Sequence, residues 1–328
     1  MNPSNFKVGT FNLLNLALPE TIFYEKNKYS QTEYNLKTNW IASQLNAMQA
    51  DVVGFQEVWH EKAIRQALAK TDRLNQADLI VTPYNGNTPS VGIASRFPII
   101  GHQIIYDFPE AWQLEGMEIP IKSFSRAILQ ADIQISESLT ITFFVAHLKS
   151  KRPDFNEGEN RDNPIHKAWG EARSAIRRLA EAVALRSILL KKLENRDYPV
   201  ILLGDLNDTS GAVSTQLISN EPPFRKWPEE VRKKIWDVLL YHVKDIQARK
   251  SYQDMYFTHI HNGHYESLDH IMVSQELVAE NSRGVGRVGY VKVFNDHLID
   301  ETLSNDEIPN WQSDHGQVVA SIELKTRQ

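Results

Sequence analysis

The ten residues Pro199-Val-Ile-Leu-Leu-Gly-Asp-Leu-Asn-Asp208 constrain this chain more than any other stretch. A short apolar run that stops in two acids and an amide reads as a buried strand. Gly204, Asp205, Asn207 and Asp208 then lie where that strand leaves the core. In an α/β protein this is the position that holds a metal, a water or a phosphate. A plain Asx-rich turn is the alternative, because Asp and Asn favour turns on their own account.

The same pattern recurs along the sequence. Val8–Leu14 reads as a strand with a polar end. Tyr34–Met48 follows as a helix whose stripe is Leu36, Trp40, Ile41, Leu45 and Met48, and Asp51–Val58 is a second strand. A helix over Glu61–Leu74 precedes strand-like pieces at 78–82, 91–95, 97–106, 126–135 and 139–148. Polar residues from Lys149 to Pro164 predict a loop, and Lys167–Leu193 is the longest helix, with Ala172, Ile176, Leu179, Val183 and Leu189 as its buried stripe. A shorter helix is expected near Val231–Leu240. His259–Ser274 reads as a hairpin around Asn262-Gly263, the preferred type I′ pair, and the last strand covers 316–324. No repeat, low-complexity tract or linker interrupts the chain, so residues 1–328 are expected to form one domain of mixed sheets.

Bulk properties narrow the chemistry. The 328 residues contain no cysteine, which excludes disulfides, thiolate metal sites and a cysteine nucleophile. The net charge of -5 argues against nucleic-acid binding by a broad basic footprint, so phosphates must be handled at a local site or with metal help. No run approaches the length of a membrane span and the N-terminus lacks the pattern of an export signal. The expectation is a cytoplasmic protein that acts as a monomer, with no stable protein partner.

Six polar positions sit at or just after apolar runs: Asn12, Glu57, His147, Asp205 with Asn207, Asp269, and Asp314-His315. Each has an ordinary structural alternative. Glu57 can be a helix-start acid, Asn12 a turn residue, Asp269 a local backbone acceptor, His147 a satisfied core histidine and Asp314-His315 a loop pair. Recurrence is what favours a site. Oxygen donors such as Asn12, Glu57 and Asp314 suit Mg²⁺ or Mn²⁺ rather than a structural zinc. Asp205, held by Asn207, is placed to orient or deprotonate water, while His147 and His315 can donate to a phosphate, with Asp269 fixing one imidazole.

The stretches TFNLLNL, DVVGFQEVW, SRFPI, FSRAIL, FVAHLKS, VILLGDLND, SLDHIMVS and SDHGQVVASI resemble the endonuclease/exonuclease/phosphatase superfamily, in that family's order, from Val8 to Leu324. The resemblance implies a four-layered α/β sandwich of two packed, mixed and mostly antiparallel sheets flanked by helices. It implies that Asn12 and Glu57 are metal ligands, that His147 is the phosphate-binding or acid histidine, and that Asp205 and Asn207 handle the nucleophile. Asp269 becomes the partner of His315, Asp314 a metal-side or orienting acid, and Arg126 a contact to substrate phosphate. Two departures stand out. Gly316-Gln317 follows Asp314-His315 where many members have an acid and a proline. Ala127 stands where pancreatic-deoxyribonuclease-like members have the glutamate that partners the histidine equivalent to His147.

The superfamily spans several phosphate esters, so the substrate needs a local clue. From His147 to Lys192 eleven basic and six acidic residues give +5, leaving -10 for the remainder. Lys149 and Lys151 directly follow His147 and are candidate contacts to a phosphodiester backbone. The Arg173–Lys192 stretch is expected to be a solvated mixed-charge face. The favoured expectation is a nuclease-like phosphodiesterase with DNA or RNA as its partner. The alternatives are a phosphomonoesterase or a phospholipid phosphodiesterase of inositol-phosphate or sphingomyelin type. An aromatic hairpin at Tyr106, Phe108 and Trp112 would serve a lipid enzyme, although packing explains it more simply. A third class, a binding protein on a dead scaffold, is disfavoured by the complete residue set. His259, His261 and His264 are expected to be solvent-exposed on the hairpin rather than a further metal site.

Overall fold

The computed structural model describes residues 4–24, 26–84, 86, 88–110, 116, 119–194, 198–250 and 256–325. Two six-stranded sheets pack face to face with helices outside them. The first has the order β13-β14-β1-β2-β4-β3, formed by Gly286–Phe294, Gln317–Leu324, Asn5–Leu16, Val52–Val58, Ser90–Ser95 and Asp78–Val81. The second has the order β5-β6-β7-β8-β12-β9, formed by Ile99–Asp107, Ser123–Ser136, Leu139–His147, Val200–Asp205, Asp269–Ser274 and Leu240–His242. Among the described residues only β1–β2 and β7–β8 pair in parallel, so the sheets are mixed and mostly antiparallel. The expected four-layered sandwich is the observed fold.

Strand alternation builds the layers. In β1, Val8 enters the core between the sheets, while Phe11 and Leu13 enter the core under helices α1 (Gln31–Met48) and α2 (Glu61–Leu68). In β8, Ile201 and Leu203 face the first sheet, while Val200 and Leu202 pack beneath α3 (Pro164–Leu193) and α4 (Val213–Ser219). The sheets meet so closely that a Cβ on Gly54 would lie 3.0 Å from Leu203 Cδ1. Burying such aliphatic side chains contributes roughly 1.5–3 kcal/mol each against leaving them exposed.

Several expectations are corrected. The helix at Glu61 ends at Leu68 rather than Leu74, and the one near Val231–Leu240 is α5 at Glu229–Asp237, after which Leu240–His242 is a strand. His259–Ser274 is not one hairpin: β10 (His259–His261) pairs with β11 (His264–Glu266), and β12 joins the second sheet. β13 was not anticipated, because Gly286, Gly289 and a bulge between Val288 and Tyr290 break its alternation. Helix α6 (Val243–Ala248) and α4 are too short to show a period.

The long helix is rotated from its expected orientation. Ile176 is 49% exposed and Leu179 38%, Ala172 is exposed and Val183 half-buried, whereas Leu189 is buried as expected. Ser174, Arg178 and Glu181 face inward instead, because Ser174 donates to the Arg152 carbonyl in the loop after β7 while Arg178 and Glu181 bond groups at or next to the strand ends beneath. The solvated-face reading of Arg173–Lys192 therefore fails at Arg178, Glu181 and Arg186, whose guanidinium donates to the carbonyls of Ile218 and Val238. Helix α1 shows a smaller rotation of the same kind: Leu36 is 44% exposed and Lys37 is wholly buried.

Candidate active site

Three strands of the second sheet carry the same design: an apolar row facing the first sheet, ended by one polar residue. Phe143 and Val145 lead to His147, Ile201 and Leu203 to Asp205, and Val273 and Ile271 to Asp269. The register pairs His147 with Asp205 and Asp205 with Asp269, so the three lie side by side on one rung. Gly204 permits this close approach. Its φ is +143° and a Cβ there would sit 1.9 Å from the Ala146 carbonyl oxygen, so no side chain fits. Asn207 closes the turn: its N–H donates to Asp205 Oδ1 (2.8 Å) and its Nδ2 to the Leu148 carbonyl (3.0 Å).

The first sheet contributes from the opposite side. Asn12 continues the inward row of β1, and its Nδ2 donates to Asp205 Oδ2 across the sheets at 3.0 Å. The ends of β1 and β2 are distorted, with register shifts and positive φ at Leu14, Asn15 and Glu57. A positive φ in a side-chain-bearing residue re-aims that side chain off the alternation. The Asn15 N–H donates to Glu57 Oε2 (2.9 Å), and Asn15 is held in turn by the buried Trp59 indole N–H (2.9 Å). Ser313 ties the loop before β14 to this end by donating to the Asn12 carbonyl (2.7 Å) while accepting from the His315 N–H (3.0 Å).

His315 Nδ1–H donates to Asp269 Oδ2 at 2.8 Å, the pairing the resemblance implied. Its Nε2 lies 3.9 Å from Asp205 Oδ2, and His147 Nε2 lies 3.6 Å from the same oxygen. Both gaps exceed a hydrogen bond, so two imidazole nitrogens and a carboxylate oxygen face one shared point. His147 Nδ1 is buried and has no hydrogen-bond partner among the described residues, in keeping with Ala127 replacing an acid.

Burial and crowding set the charges. Asp205 is raised to about 7, chiefly by burial, with the His315 charge opposing and the Asp269 charge adding. His315 is held well above its ordinary value; burial works against this, but the carboxylates of Asp269 and Asp205 outweigh it. His147 is pushed well below the ordinary range by burial and by the nearby charges of Arg126 and His315. Glu57 is raised by burial and by the Asp314 charge, and Asp314 Oδ1 is a buried oxygen without a partner among the described residues. Such a pair of hard oxygen donors fits a divalent cation of the Mg²⁺ type. Glu57 also acts on Asp205 and feels His315, which puts all of them in one electrostatic neighbourhood.

Arg126 belongs to this neighbourhood. Its guanidinium donates to the Leu148 carbonyl (3.2 Å) and acts on Glu57, His147 and Tyr24. The other two substrate-side candidates divide. Lys149 is half-buried beside Arg126 and pulled down by burial. Lys151 is paired with Glu266 (2.7 Å) and Asp208 (3.8 Å), so its charge is largely met within the protein.

Several residues of the site were not singled out from sequence. Glu181 accepts from the Ser125 and Lys149 N–H groups (2.7 Å each), clamping the ends of β6 and β7. Arg178 donates to Asp208 (2.9 Å) and to the Lys149 carbonyl (3.2 Å). Thr258 Oγ accepts from the Leu268 and Asp269 N–H groups at the start of β12. Inward polar residues on α3 carried a signal in the i, i+4 and i+7 spacing of Ser174, Arg178 and Glu181; Thr258 carried none. His259 corrects the exposed reading for its hairpin: it is half-buried, its Nδ1 lies 3.0 Å from the Asp314 carbonyl, and its ring stacks on His315 at 4.8 Å. His261 and His264 are exposed as expected. A cavity of about 420 Å³ opens beside Asp314, lined by Leu14, His259, His261, Asn262, Asp300 and Glu301 among others. Of the aromatic hairpin, Phe108 is buried against Phe124 and Tyr106 is exposed, while Trp112 lies outside the described residues.

Residues 9–315 match the model of the Endonuclease/Exonuclease/phosphatase family. No curated relative matches the sequence. Among solved structures, humanized D. rerio TDP2 shares 15% identity with a TM-score of 0.58, covering 98% of this chain and 99% of its own. An endonuclease/exonuclease/phosphatase family protein from Leptotrichia buccalis shares 16% with a TM-score of 0.54, covering 97% and 100%. The mannosyl-6-phosphatase of Bacteroides thetaiotaomicron shares 14% with a TM-score of 0.56, covering 97% and 99%. At these identities the likeness is one of fold.

Proposed function

The chain belongs to the Endonuclease/Exonuclease/phosphatase family, and from that premise we propose that it is a divalent-metal-dependent phosphodiesterase that cleaves nucleic acid by in-line attack of water. The observation that carries this reading is the convergence of Asp205 Oδ2, His147 Nε2 and His315 Nε2 on one point, within the electrostatic reach of Glu57 and Asp314. Glu57, Asp314 and Asn12 would hold Mg²⁺ or Mn²⁺. The bound ion would supply positive charge to the phosphoryl and leaving oxygens.

The remaining steps belong to the chain's own groups. Asp205 in its ionised form takes the proton from water as the new P–O bond forms and the ester P–O bond breaks. Asn12 and Asn207 fix its two oxygens, one each, so the base is aimed before substrate arrives. His315, kept protonated by Asp269, donates to a phosphate oxygen as negative charge develops, and neutral His147 donates from Nε2 on the other side. Arg126 and Lys149 neutralise the rest of the ester, with Lys151 released from its ion pairs in a secondary role. A cytoplasmic, monomeric enzyme completes the proposal; among the described residues no helix is long and apolar enough to cross a membrane.

A second reading has a specific observation behind it. The cavity beside Asp314 carries Asp300 and Glu301, which repel a further phosphate and suit a compact leaving group rich in hydroxyls. One protein of the same fold is a mannosyl-6-phosphatase, so a sugar phosphate monoester is the alternative substrate. A panel of plasmid DNA, single-stranded DNA and RNA against sugar phosphates, inositol phosphates and sphingomyelin, with and without EDTA, tests both. Cation-dependent cleavage of nucleic acid supports the first reading. Turnover of monoesters or lipid alone replaces it.

A further inference from the structure

Helix α1 turns a lysine toward the site end of the first sheet. Lys37 is 0% exposed, and its Nζ has no hydrogen-bond partner among the described residues. The amine sits over the Tyr29 ring, 5.2 Å from its centroid, and the Tyr29 hydroxyl donates to the Leu14 carbonyl, two residues past Asn12. The charged groups that act on Lys37 are Glu57 and Asp314, and both also act on Tyr29. An amine that makes no hydrogen bond fixes no geometry, and a methionine would fill the same volume without removing a charge from water. What remains for Lys37 to contribute is its charge, held over the Tyr29 ring and within the electrostatic reach of Glu57 and Asp314.

We propose that Lys37 tunes the cation site as a built-in counter-charge that offsets Glu57 and Asp314 when no ion is bound and holds down the affinity when one is. This rests on the reading that Glu57 and Asp314 hold the cation. The sign follows from Coulomb's law in a poorly solvated interior. Removing a positive charge beside two carboxylates leaves a repulsion that a dication relieves, so binding tightens. A lysine that served packing alone would, on replacement, leave cation affinity unchanged or weaken it. Burial pulls the amine down to about 7.

The test uses the full chain as wild type, Lys37→Met, Lys37→Arg and Glu57→Gln, with Lys62→Met on the exposed side of α2 as control. Mn²⁺ affinity is read by competition with a fluorescent chelator, about one pH unit below the depressed Lys37 value, where the amine is charged. Melting temperatures are read in EDTA and in Mn²⁺. Lys37→Met should bind Mn²⁺ about tenfold tighter or more, with a larger Mn²⁺-induced rise in melting temperature than wild type. Lys37→Arg and Lys62→Met should match wild type. Equal or weaker binding by folded Lys37→Met, with binding still lost in Glu57→Gln, overturns the counter-charge while leaving the cation site standing. Absence of Mn²⁺ binding in the wild type overturns both. Should Lys37→Met fail to fold, the ¹⁵N resonance of Lys37 Nζ in the wild type decides: it should move when Mg²⁺ is added, and an unmoved resonance contradicts the proposal.

Discussion

Asn12 and Asp205 are 193 residues apart and lie in different sheets, yet the amide of one donates to the carboxylate of the other at 3.0 Å. That bond spans the sandwich at the mouth of the site and ties the candidate base to Asn12, the candidate metal ligand on β1. Asp205 is held by the Asn12 and Asn207 amides and, among the described residues, has no ion pair with Lys or Arg, and this sets the cost of its charge.

A buried carboxylate raised to about 7 favours folding while protonated and loses that contribution as pH rises from its unfolded value through about 7. Asp205→Asn removes the charge at equal volume and gives up one of the two N–H bonds, that from Asn12 or that from Asn207, a smaller effect than the buried charge. At pH about 8 in EDTA we expect its melting temperature to exceed that of wild type by roughly 2–4 °C. A clear fall would mean that the ionised carboxylate stabilises the empty site.

The rate should depend on pH with two limbs. Activity rises through about 7 as Asp205 ionises, and falls only well above the ordinary histidine range, where His315 loses its proton. In Asp269→Asn the first carboxylate raising His315 is gone and burial acts with less opposition, so the basic limb should move down by about one pH unit or more. Profiles of kcat/KM for both proteins measure this. A basic limb that stays in place would assign it to another group.

Much of this rung was legible from residues alone. Apolar rows ended by His147, Asp205 and Asp269 announce strands with functional ends, and alternation then puts all three on one face. The cross-sheet position of Asn12 and the aim of Glu57 were not legible as geometry, because they depend on a positive φ and on bulges that periodicity does not encode. The helices misled for a physical reason. On α3 the apolar stripe looked like the core face, but Arg178 and Glu181 gain more by satisfying strand-end N–H and C=O groups than Ile176 and Leu179 lose by staying outside. His259 was missed because a histidine on a hairpin is usually solvated; here its ring covers His315.

The orientation of α3 yields its own prediction. Glu181→Leu strands the Ser125 and Lys149 N–H groups and should cost about 2–4 kcal/mol in denaturant unfolding. Ile176→Ser, on the outer face of the same helix, should stay within about 0.5 kcal/mol of wild type. The opposite ranking would restore the apolar stripe to the core.

Gly204 is the least replaceable position in the motif. Gly204→Ala drives a methyl group into the Ala146 carbonyl and imposes a φ that side chains avoid. A loss of about 3 kcal/mol or more is expected, read as a lower urea midpoint at unchanged slope, or as insoluble protein. An alanine variant of wild-type stability would show that β7 and β8 are not held this closely.

The central claim is that Asp205, at the meeting point of two imidazoles and an amide, is the base of a cation-assisted hydrolysis. It is tested most directly by turnover of bis(p-nitrophenyl) phosphate at saturating Mn²⁺ by wild type and Asp205→Asn, with folding and Mn²⁺ binding verified for each. The account predicts that the variant binds the ion and retains about a thousandth of the wild-type kcat or less. Retention of kcat within about tenfold of wild type, or wild-type turnover that persists undiminished in EDTA, would contradict it.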